Sequence, residues 1–439
     1  MTLSEMFERI NGKECPCGRE HCVSVKVYSG SGALSRLSEA MEKLSARHAF
    51  IISDKNTQKA AGERVYSLLS ENGFTYTGYV FDEDKLEPDE HSVGSAIMNY
   101  DRSADVIIAV GSGVIGDISK IVSAVSGKPM ITVATAPSMD GYASATSSMT
   151  RAGVKVSLPS RCADIVIGDT DILKNAPLDM LKSGLGDMLA KYVSITEWRL
   201  SALITGEYYC ETVADAVRAS LSRCVSNRRG LLLREREAVE AVFEGLIITG
   251  IAMAYAGLSR PASGVEHYLS HVWDMRSVEF NQPCALHGLQ CGVGTLISAR
   301  VYEKVKETLP DKKKALKYVR DFSISEWNKT LREFLGNAAE PMIALEKKEG
   351  KYSPEKHAKR LDFITENYGK IVEIINEELP SAEKIEEILS DIEAPKTLTA
   401  IGLDEKILPL TFKASKDIRD KYVLSRLCWD LGIIDEVIQ

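Results

Sequence analysis

Hydrophobic positions in the first third of the chain form short runs that alternate with stretches of helical period. Between the runs, the apolar spacing predicts helices over Thr57–Asn72 and Val114–Ser126. Strands that alternate with helices are typical of βα units in a parallel sheet. We therefore expect an α/β nucleotide-binding domain in this region. Four runs rich in β-branched residues predict its strands: Ala49–Ser53, Thr75–Phe81, Asp105–Val110 and Met130–Ala134.

The pattern changes after Asp140. A stretch rich in Ser, Thr, Gly and Ala, Gly141–Ser148, predicts a loop, and two short strand-like pieces follow at Val154–Leu158 and Ile165–Gly168. Beyond Pro177 long helical patterns dominate: Leu178–Thr205, Ala214–Ser226, Glu235–Ala256, Val265–Met275 and a charged region, Val301–Gln439. We place the domain boundary near Asp171–Pro177. The prediction is an α/β dinucleotide-binding domain over 1–172 and an all-α domain that binds metal and substrate over 173–439.

Length and charge narrow the functional class. A chain of 439 residues suits two domains, and a net charge of −8 argues against a nucleic-acid partner. The apolar run Gly245–Leu258 is shorter than the roughly 20 residues that span a bilayer, so we interpret it as a buried core helix. The first residues lack a basic segment followed by an apolar one, which favours a cytoplasmic protein without a secretory signal.

Nine cysteines, an odd number, favour reduced thiols over a disulfide framework. One cluster combines Cys15, Cys17, His21 and Cys22. Its spacing lacks the paired C-x2-C knuckles of a zinc site, so a surface loop with incidental thiols is the favoured interpretation, with metal binding as the alternative. We assign this cluster no function from the sequence.

Gly111-Ser112-Gly113-Val114-Ile115-Gly116 follows an apolar strand and opens a helix, the context in which G-x-G-x-x-G binds a pyrophosphate. The alternative is a tight turn that needs small residues. In the ordinary dinucleotide fold an acid lies about 20 residues downstream of this loop. Here the acid at a strand end, Asp54, lies upstream, and the loop follows the third predicted strand. Asp54 favours NAD(H) over NADP(H), because it would repel a 2′-phosphate, although it could equally serve as a helix N-cap.

Three of the seven histidines, His267, His271 and His287, fall within 21 residues. His267 and His271 share one helix face, but the glutamate of H-E-x-x-H proteases is missing. Asp187 interrupts an apolar helix start and is our candidate for a third ligand beside His267 and His287. The alternatives are an acid that interacts with the helix dipole and Lys191, and histidines that are simply hydrogen-bonded in a core. An Asp/His/His set with an open position suits a catalytic divalent ion that activates a carbonyl next to a nicotinamide.

A series of segments occurs in an order that resembles the sn-glycerol-1-phosphate dehydrogenases. That family belongs to the superfamily of iron-activated alcohol dehydrogenases, glycerol dehydrogenase and dehydroquinate synthase. The resemblance extends over about Ala49–Leu296, and the long C-terminal region is similar to the bacterial branch. The segments, by first and last residue, are Ser53–Thr57, Gly111–Asp117, Thr135–Ser144, Ser157–Pro159, Asp169–Asp171, Gly184–Asp187, Ser263–His267 and His287-Gly288.

The resemblance implies a dehydroquinate synthase-like fold and a role for each site residue. Asp54 would contact the adenosine ribose, and Gly113 to Asp117 would cover the pyrophosphate of NAD(H) or NADP(H). Asp187, His267 and His287 would hold zinc or nickel. Asp140, Asp187 and His271 would lie beside the substrate, with Asp140 and His271 catalytic and His271 relaying a proton. The full set of implied cofactor residues is Asp54, Gly111, Ser112, Gly113, Val114, Ile115, Gly116, Asp117, Thr135, Ala136, Pro137, Ser138 and Ser144.

The implied reaction is reversible reduction of dihydroxyacetone phosphate to sn-glycerol 1-phosphate by a homodimer, with a role in phospholipid biosynthesis. The partner is thus a small phosphorylated molecule. One alternative is a glycerol or other polyol dehydrogenase, which would need the same metal and cofactor. Another is a lyase of the dehydroquinate synthase type, which uses NAD transiently. The segments Ser157-Leu158-Pro159 and Asp169-Thr170-Asp171 favour the glycerol-phosphate branch over the lyase. The sequence does not locate a phosphate pocket.

Overall fold

The computed structural model describes residues 1–152 and 154–438. Within the described residues, every strand lies between Lys13 and Asp169. They are β1 (Lys13–Glu14), β2 (Glu20–His21), β3 (Lys26–Gly30), β4 (His48–Asp54), β5 (Thr75–Phe81), β6 (Val106–Gly111), β7 (Met130–Ala134), β8 (Thr146–Arg151), β9 (Val154–Pro159) and β10 (Ile165–Asp169).

Six strands form one parallel sheet in the order β3-β10-β7-β6-β4-β5. The four strands predicted for the first third of the chain are confirmed in type and nearly in length, and so is the predicted piece Ile165–Gly168, which is β10. The edge strand β3 was not predicted, because its alternation of exposed and buried residues contains no apolar run. The glycine loop therefore follows the fourth strand of this sheet along the chain, and the count of three was wrong.

Two smaller antiparallel ribbons complete the β structure. β1 pairs with β2 near the N-terminus, and β8 pairs with β9. The stretch Gly141–Ser148, predicted as a loop, is a short 3-10 turn over Asp140–Ala143 followed by the start of β8.

Helices cover the parallel sheet and then make up the rest of the chain. A wider π-type turn at Gln58–Gly62 joins α3 to α4 within the predicted helix Thr57–Asn72. The N-terminal helices are α1 (Leu3–Arg9), α2 (Leu37–Lys43), α3 (Lys55–Thr57), α4 (Glu63–Glu71), α5 (Glu90–Met98), α6 (Gly113–Ser126) and α7 (Thr170–Leu173).

Every longer element described after Asp169 is helical, as predicted. α8 spans Leu178–Thr205, the predicted range, and α10 ends at Ala256, where it is followed by Gly257 in a left-handed conformation. The helices are α8 (Leu178–Thr205), α9 (Glu211–Ser226), α10 (Arg236–Ala256), α11 (Val265–Glu279), α12 (His287–Glu307), α13 (Lys312–Asp321), α14 (Ile324–Leu335), α15 (Ala339–Glu349), α16 (Pro354–Glu366), α17 (Tyr368–Glu378), α18 (Ala382–Asp391), α19 (Leu408–Ser415) and α20 (Leu424–Asp430).

The chain forms two compact units. The N-terminal unit comprises Met1–Met188 and Asp215–Gly257, and the C-terminal unit comprises Leu189–Ala214 and Leu258–Gln439. The sheet ends close to residue 172, where the sequence predicts a boundary. The compact units divide the chain differently, because α10 and most of α9 belong to the N-terminal unit.

α10 is the one helix of the described chain that is long and apolar enough to cross a membrane. Of its most apolar 18-residue window, 78% is buried inside the protein. Its side chains from Gly245 to Ala252 pack in the interior, as we expected for a core helix.

Candidate functional site

The carboxyl ends of β4 and β6 lie next to each other in the N-terminal unit. β4 leads through α3 and α4 to β5 on one side, whereas β6 leads through α6 to β7 on the other. Neighbouring strands whose connections diverge create a crevice that open parallel sheets use to bind ligands. Asp54 ends β4 and Gly111 ends β6, so the structure brings the predicted acid and glycine loop together at this point.

The glycine loop is a tight strand-to-helix turn. A Cβ atom at Gly111 would lie 2.5 Å from the Cβ of Ile115, which makes a side chain there impossible without displacement. Within the described residues, Ser112 does not cap α6 with its side chain, although the N–H of Gly116 donates to its carbonyl oxygen at 2.8 Å. A Cβ at Gly116 would meet no atom within 4 Å. The first turn of α6 thus offers backbone N–H groups and open space, as an anionic ligand requires.

Asp54 serves as the N-cap of α3, the alternative role that the sequence left open. Its Oδ1 accepts hydrogen bonds from the backbone N–H groups of Asn56 (2.7 Å) and Thr57 (2.9 Å), and Thr57 completes a capping box. Since both hydrogen bonds go to the same oxygen, the cap is compatible with a ribose contact through Oδ2.

The segment after β7 carries Thr135, Ala136, Pro137 and Ser138 to the same edge of the sheet. The N–H of Thr135 donates to the carbonyl oxygen of Gly111 at 3.2 Å, which ties this segment to the glycine loop. The backbone of α8 approaches it closely, because a Cβ at Gly184 would lie 1.9 Å from the Pro137 carbonyl oxygen. The Ser144 hydroxyl lies 3.0 Å from the Thr146 hydroxyl at the start of β8.

Asp117 faces Lys120 in the interior of the N-terminal unit. Their side chains approach to 3.5 Å, and the Lys120 ammonium donates to the carbonyl oxygens of Gly141 (2.6 Å) and Thr146 (3.1 Å). Burial raises the pKa of the Asp117 carboxyl, and the Lys120 charge offsets part of this rise. This pair joins α6 to the turn that carries Asp140.

Asp187 lies in α8 with its side chain completely buried. Its Oδ2 accepts the backbone N–H of Asp140 at 3.0 Å, so the structure joins two predicted site residues within the N-terminal unit. A buried carboxylate is stable when it is hydrogen-bonded and compensated by positive charge, which a divalent ion can supply.

The three predicted histidines come together in the C-terminal unit. His267 and His271 project from α11, and His287 begins α12. The His287 ring lies 5.1 Å from the His267 ring and 6.2 Å from the His271 ring, measured between centroids. Two imidazoles at this separation match the donor chemistry of a zinc or nickel site.

Hydrogen bonds orient both presumptive histidine ligands. The Nδ1 atom of His267 lies 2.8 Å from Glu266 Oε1, and Nδ1 of His287 lies 3.2 Å from the Ser270 hydroxyl. A carboxylate partner holds a proton on Nδ1 and thereby directs the lone pair of Nε2 toward a metal. The donor set and its hydrogen-bond partners therefore fit a divalent ion.

Cys291 is a fourth potential ligand that the sequence interpretation missed. Its Sγ lies 3.6 Å from His287 Nε2, and the donor atoms of His267, His287 and Cys291 all lie within 4.8 Å of one another. The signal was present, because residues four apart on a helix share a face. Burial by itself raises the thiol pKa, but His267 and His287 outweigh it and lower the pKa of Cys291 overall.

Glu266 was also missed as the partner of His267. It is completely buried and lies beside Glu197, and a Cβ at Gly264 would be 2.7 Å from carboxylate oxygens of both. Burial, reinforced by the Glu266 charge, raises the pKa of Glu197 to about 8. The raised pKa favours the protonated, uncharged form of the Glu197 carboxyl near neutral pH.

Comparison with known proteins identifies the family. The family profile "Iron-containing alcohol dehydrogenase" matches residues 28–177. Over 295 residues the chain is 33% identical to the glycerol-1-phosphate dehydrogenase [NAD(P)+] of Halalkalibacterium halodurans, a match that covers 66% of this chain and 74% of the relative. The protein of that name from Geobacillus thermodenitrificans is 26% identical over 93% of both chains, so its match includes most of the C-terminal region.

Solved structures agree on the fold. Glycerol dehydrogenase from Schizosaccharomyces pombe superposes with a TM-score of 0.60 at 18% identity, covering 94% of this chain and 89% of that one. This likeness confirms the expected fold, an α/β domain with a parallel sheet followed by a helical region. Together with the sequence identities, it shows that the chain belongs to the glycerol-1-phosphate dehydrogenase family of oxidoreductases.

Proposed function

We propose that the protein catalyses reversible, NAD(P)H-dependent reduction of dihydroxyacetone phosphate to sn-glycerol 1-phosphate. The observation that supports the chemistry is the group of His267, His271 and His287. The Nδ1 atoms of His267 and His287 lie within hydrogen-bonding distance of Glu266 and Ser270, respectively. The names of the relatives supply glycerol 1-phosphate, the product in the proposed direction, and the cofactor NAD(P).

The cofactor is proposed to bind at the carboxyl edge of the sheet. Asp54 Oδ2 would accept hydrogen bonds from the adenosine ribose. The residues from Gly111 to Gly116 would place the pyrophosphate at the positive end of α6, where the missing Cβ of Gly116 leaves room. The segment Thr135–Ser138 and Ser144 would line the remainder of the cofactor site.

The proposed metal ligands are Asp187, His267 and His287. Zinc and nickel both suit two imidazoles and one carboxylate. A bound ion would draw electron density from the substrate carbonyl and balance the negative charge that develops on its oxygen during hydride transfer.

Protein groups around the substrate would position it and handle the proton. The backbone N–H of Asp140 donates to Asp187, and this hydrogen bond fixes the position of the Asp140 backbone. We assign Asp140 and Asp187 to substrate contact. The His271 imidazole would hydrogen-bond the substrate and deliver a proton to the oxygen of the product.

The assay that tests this function follows NADH and NADPH oxidation with dihydroxyacetone phosphate, with dihydroxyacetone and without substrate. We expect turnover with the phosphorylated ketone, loss of activity after chelation, and recovery with zinc or nickel. Chiral analysis should give sn-glycerol 1-phosphate. Activity on the unphosphorylated ketone alone would favour a polyol dehydrogenase, and activity that survives metal removal would contradict the proposal.

A matched pair of variants tests the metal ligands. His287→Ala should abolish turnover and remove one equivalent of active-site metal, because it deletes an imidazole of the proposed set. His91→Ala is the control, since His91 is an exposed residue of α5. Equal metal content in the two variants would exclude His287 as a ligand.

A further inference from the structure

The segment before the parallel sheet folds into a small hairpin. β1 and β2 pair antiparallel, with Lys13 opposite His21 and Glu14 opposite Glu20. The turn between them closes through the N–H of Gly18, which donates to the Cys15 carbonyl oxygen at 2.9 Å. Gly18 has a φ of +79°, a conformation that side chains other than glycine rarely adopt. The turn therefore folds Cys15 and Cys17 back toward His21.

The three side chains converge on one point. Cys17 Sγ lies 3.3 Å from His21 Nε2, and the donor atoms of Cys15, Cys17 and His21 are all within 4.8 Å of one another. Ligands of a tetrahedral zinc ion are separated by about 3.5–3.8 Å, given Zn–S and Zn–N bonds of about 2.3 and 2.0 Å. The separations between the donor atoms of Cys15, Cys17 and His21 fit such an ion after small movements of the side chains. Cys22, which the sequence grouped with the other two cysteines, is exposed.

The His21 ring is oriented in the way that metal-binding histidines require. It is only 1% exposed, and its Nδ1 lies 3.0 Å from the Tyr255 carbonyl oxygen. A carbonyl oxygen can only accept a hydrogen bond, so Nδ1 carries the proton and Nε2 presents its lone pair toward Cys17.

The same hairpin is attached to the end of α10 by further contacts. Arg19 donates to the Ala256 carbonyl oxygen at 3.3 Å, and the Tyr255 hydroxyl donates to Asn11 Oδ1 at 3.0 Å. His21 belongs to the hairpin and is also hydrogen-bonded to Tyr255. An ion bound by the hairpin would therefore strengthen its attachment to α10 within the N-terminal unit.

We propose that Cys15, Cys17 and His21 bind a structural zinc ion. Two thiolates and an imidazole favour zinc over the hard cations magnesium and calcium. A further thiolate or a water molecule would fill the fourth tetrahedral position. The site differs from the proposed catalytic site in having two cysteine ligands, since the three ligands proposed there are one carboxylate and two imidazoles.

The test compares Cys17→Ser and His21→Asn with Cys22→Ser, a matched control in the same segment. Zinc is measured by elemental mass spectrometry on gel-filtered, full-length protein. We expect each of the first two variants to lose one equivalent of zinc per chain and Cys22→Ser to retain it. In a His287→Ala background, X-ray absorption should show the remaining zinc with a sulfur shell at about 2.3 Å.

A second measurement covers the case in which a variant does not fold. In the unmodified protein, bound zinc should protect Cys15 and Cys17 from alkylation while Cys22 reacts, and chelation should expose all three. Equal alkylation rates in zinc-loaded protein, or unchanged zinc content in Cys17→Ser and His21→Asn, would overturn the proposal. The catalytic proposal would survive that result, because its test reads activity and the His287→Ala metal content.

Discussion

Asp54 has an observed role in the fold and a proposed role in cofactor binding. It caps α3 through Oδ1, and it ends the strand next to the glycine loop. The sequence presented these roles as alternatives. The structure shows the cap, and its geometry leaves the ribose contact compatible with it.

Asp54→Ser separates the two roles, because serine also caps helices but carries no charge. We expect the KM for NADH to rise about tenfold, corresponding to roughly 1.4 kcal/mol of lost binding energy, and the discrimination against NADPH to fall. The unfolding temperature should change little. Asp89→Ser is the matched control, since Asp89 forms a capping box at α5, away from the glycine loop. Equal effects on KM in both variants would show that Asp54 acts only as a cap.

His271→Ala tests the proton relay. We expect kcat to fall by roughly 10²–10⁴-fold, the usual contribution of a general acid, while bound metal remains. Steady-state kinetics and metal analysis of the same preparation provide the measurement. Full turnover with metal bound would remove His271 from the mechanism, and loss of metal would make it a ligand.

At the residue scale, the candidate site residues were chosen where one amino acid stands out from its surroundings. Three clustered histidines and an acid in an apolar helix are visible without coordinates. Cys291 and Glu266 were not identified, because a cysteine in a helix and an acid beside a histidine are ordinary until their neighbours are known. The contacts of Cys291 with His287 and of Glu266 with His267 became visible only in the structure.

At the scale of elements, strands that contain a run of β-branched and aromatic residues were predicted, including the largely exposed edge strand β5, whereas β3 was not. β6 and β7 are buried at every position, whereas β3 lies at the sheet edge. The segment Asp169-Thr170-Asp171 contacts the chain just after β3. Asp169 accepts N–H groups of Gly32 and Leu34, just after β3, at 3.1 and 3.0 Å. Asp169-Thr170-Asp171 therefore stabilises the edge of the sheet formed by β3.

Gly184→Ala tests the close approach of α8 to the segment Thr135–Ser138, which we propose to line the cofactor site. The new methyl group would collide with the Pro137 carbonyl oxygen, so we expect a lower unfolding temperature and weaker NADH binding. Gly94→Ala is the control, because a Cβ there meets nothing within 4 Å. In a helix, alanine without steric conflict stabilises by about 0.5–1 kcal/mol relative to glycine. The two variants should thus shift the unfolding temperature in opposite directions, and parallel shifts would contradict the inferred contact.

At the scale of the whole molecule, buried charges should make stability depend on pH. Lys421 lies in the C-terminal unit and donates to the Ser259 hydroxyl and the Ser263 carbonyl oxygen. Burial, together with the charges of Arg260 and Arg419, lowers the pKa of Lys421 from 10.5 to about 7.

The direction in which stability changes with pH follows from proton binding to Lys421. Between pH 7 and 10.5 the unfolded chain holds a proton on Lys421 that the folded protein lacks, so stability increases with pH across this window. Below pH 7 both states are protonated, and the full cost of a buried charge applies. Lys421→Met removes this dependence.

Differential scanning calorimetry at several values between pH 6 and 10 measures the effect. The unfolding temperature of the unmodified protein should rise with pH more than that of Lys421→Met. Lys347→Met removes the same charge from an exposed position and should follow the unmodified protein. Parallel curves for all three proteins would show that Lys421 does not titrate in this range.

The sequence by itself determined the βα alternation, the long helices and the identity of most candidate site residues. These features depend on local periodicity and on amino acids that stand out within a short segment, such as the glycines at Gly111–Gly116. Only the tertiary structure decided that Asp54 and Gly111 end adjacent strands and that His287 reaches His267. It also showed that His21, and not Cys22, joins Cys15 and Cys17. Such contacts depend on strand order and chain reversal, which bring together residues whose spacing along the chain carries no information about their distance.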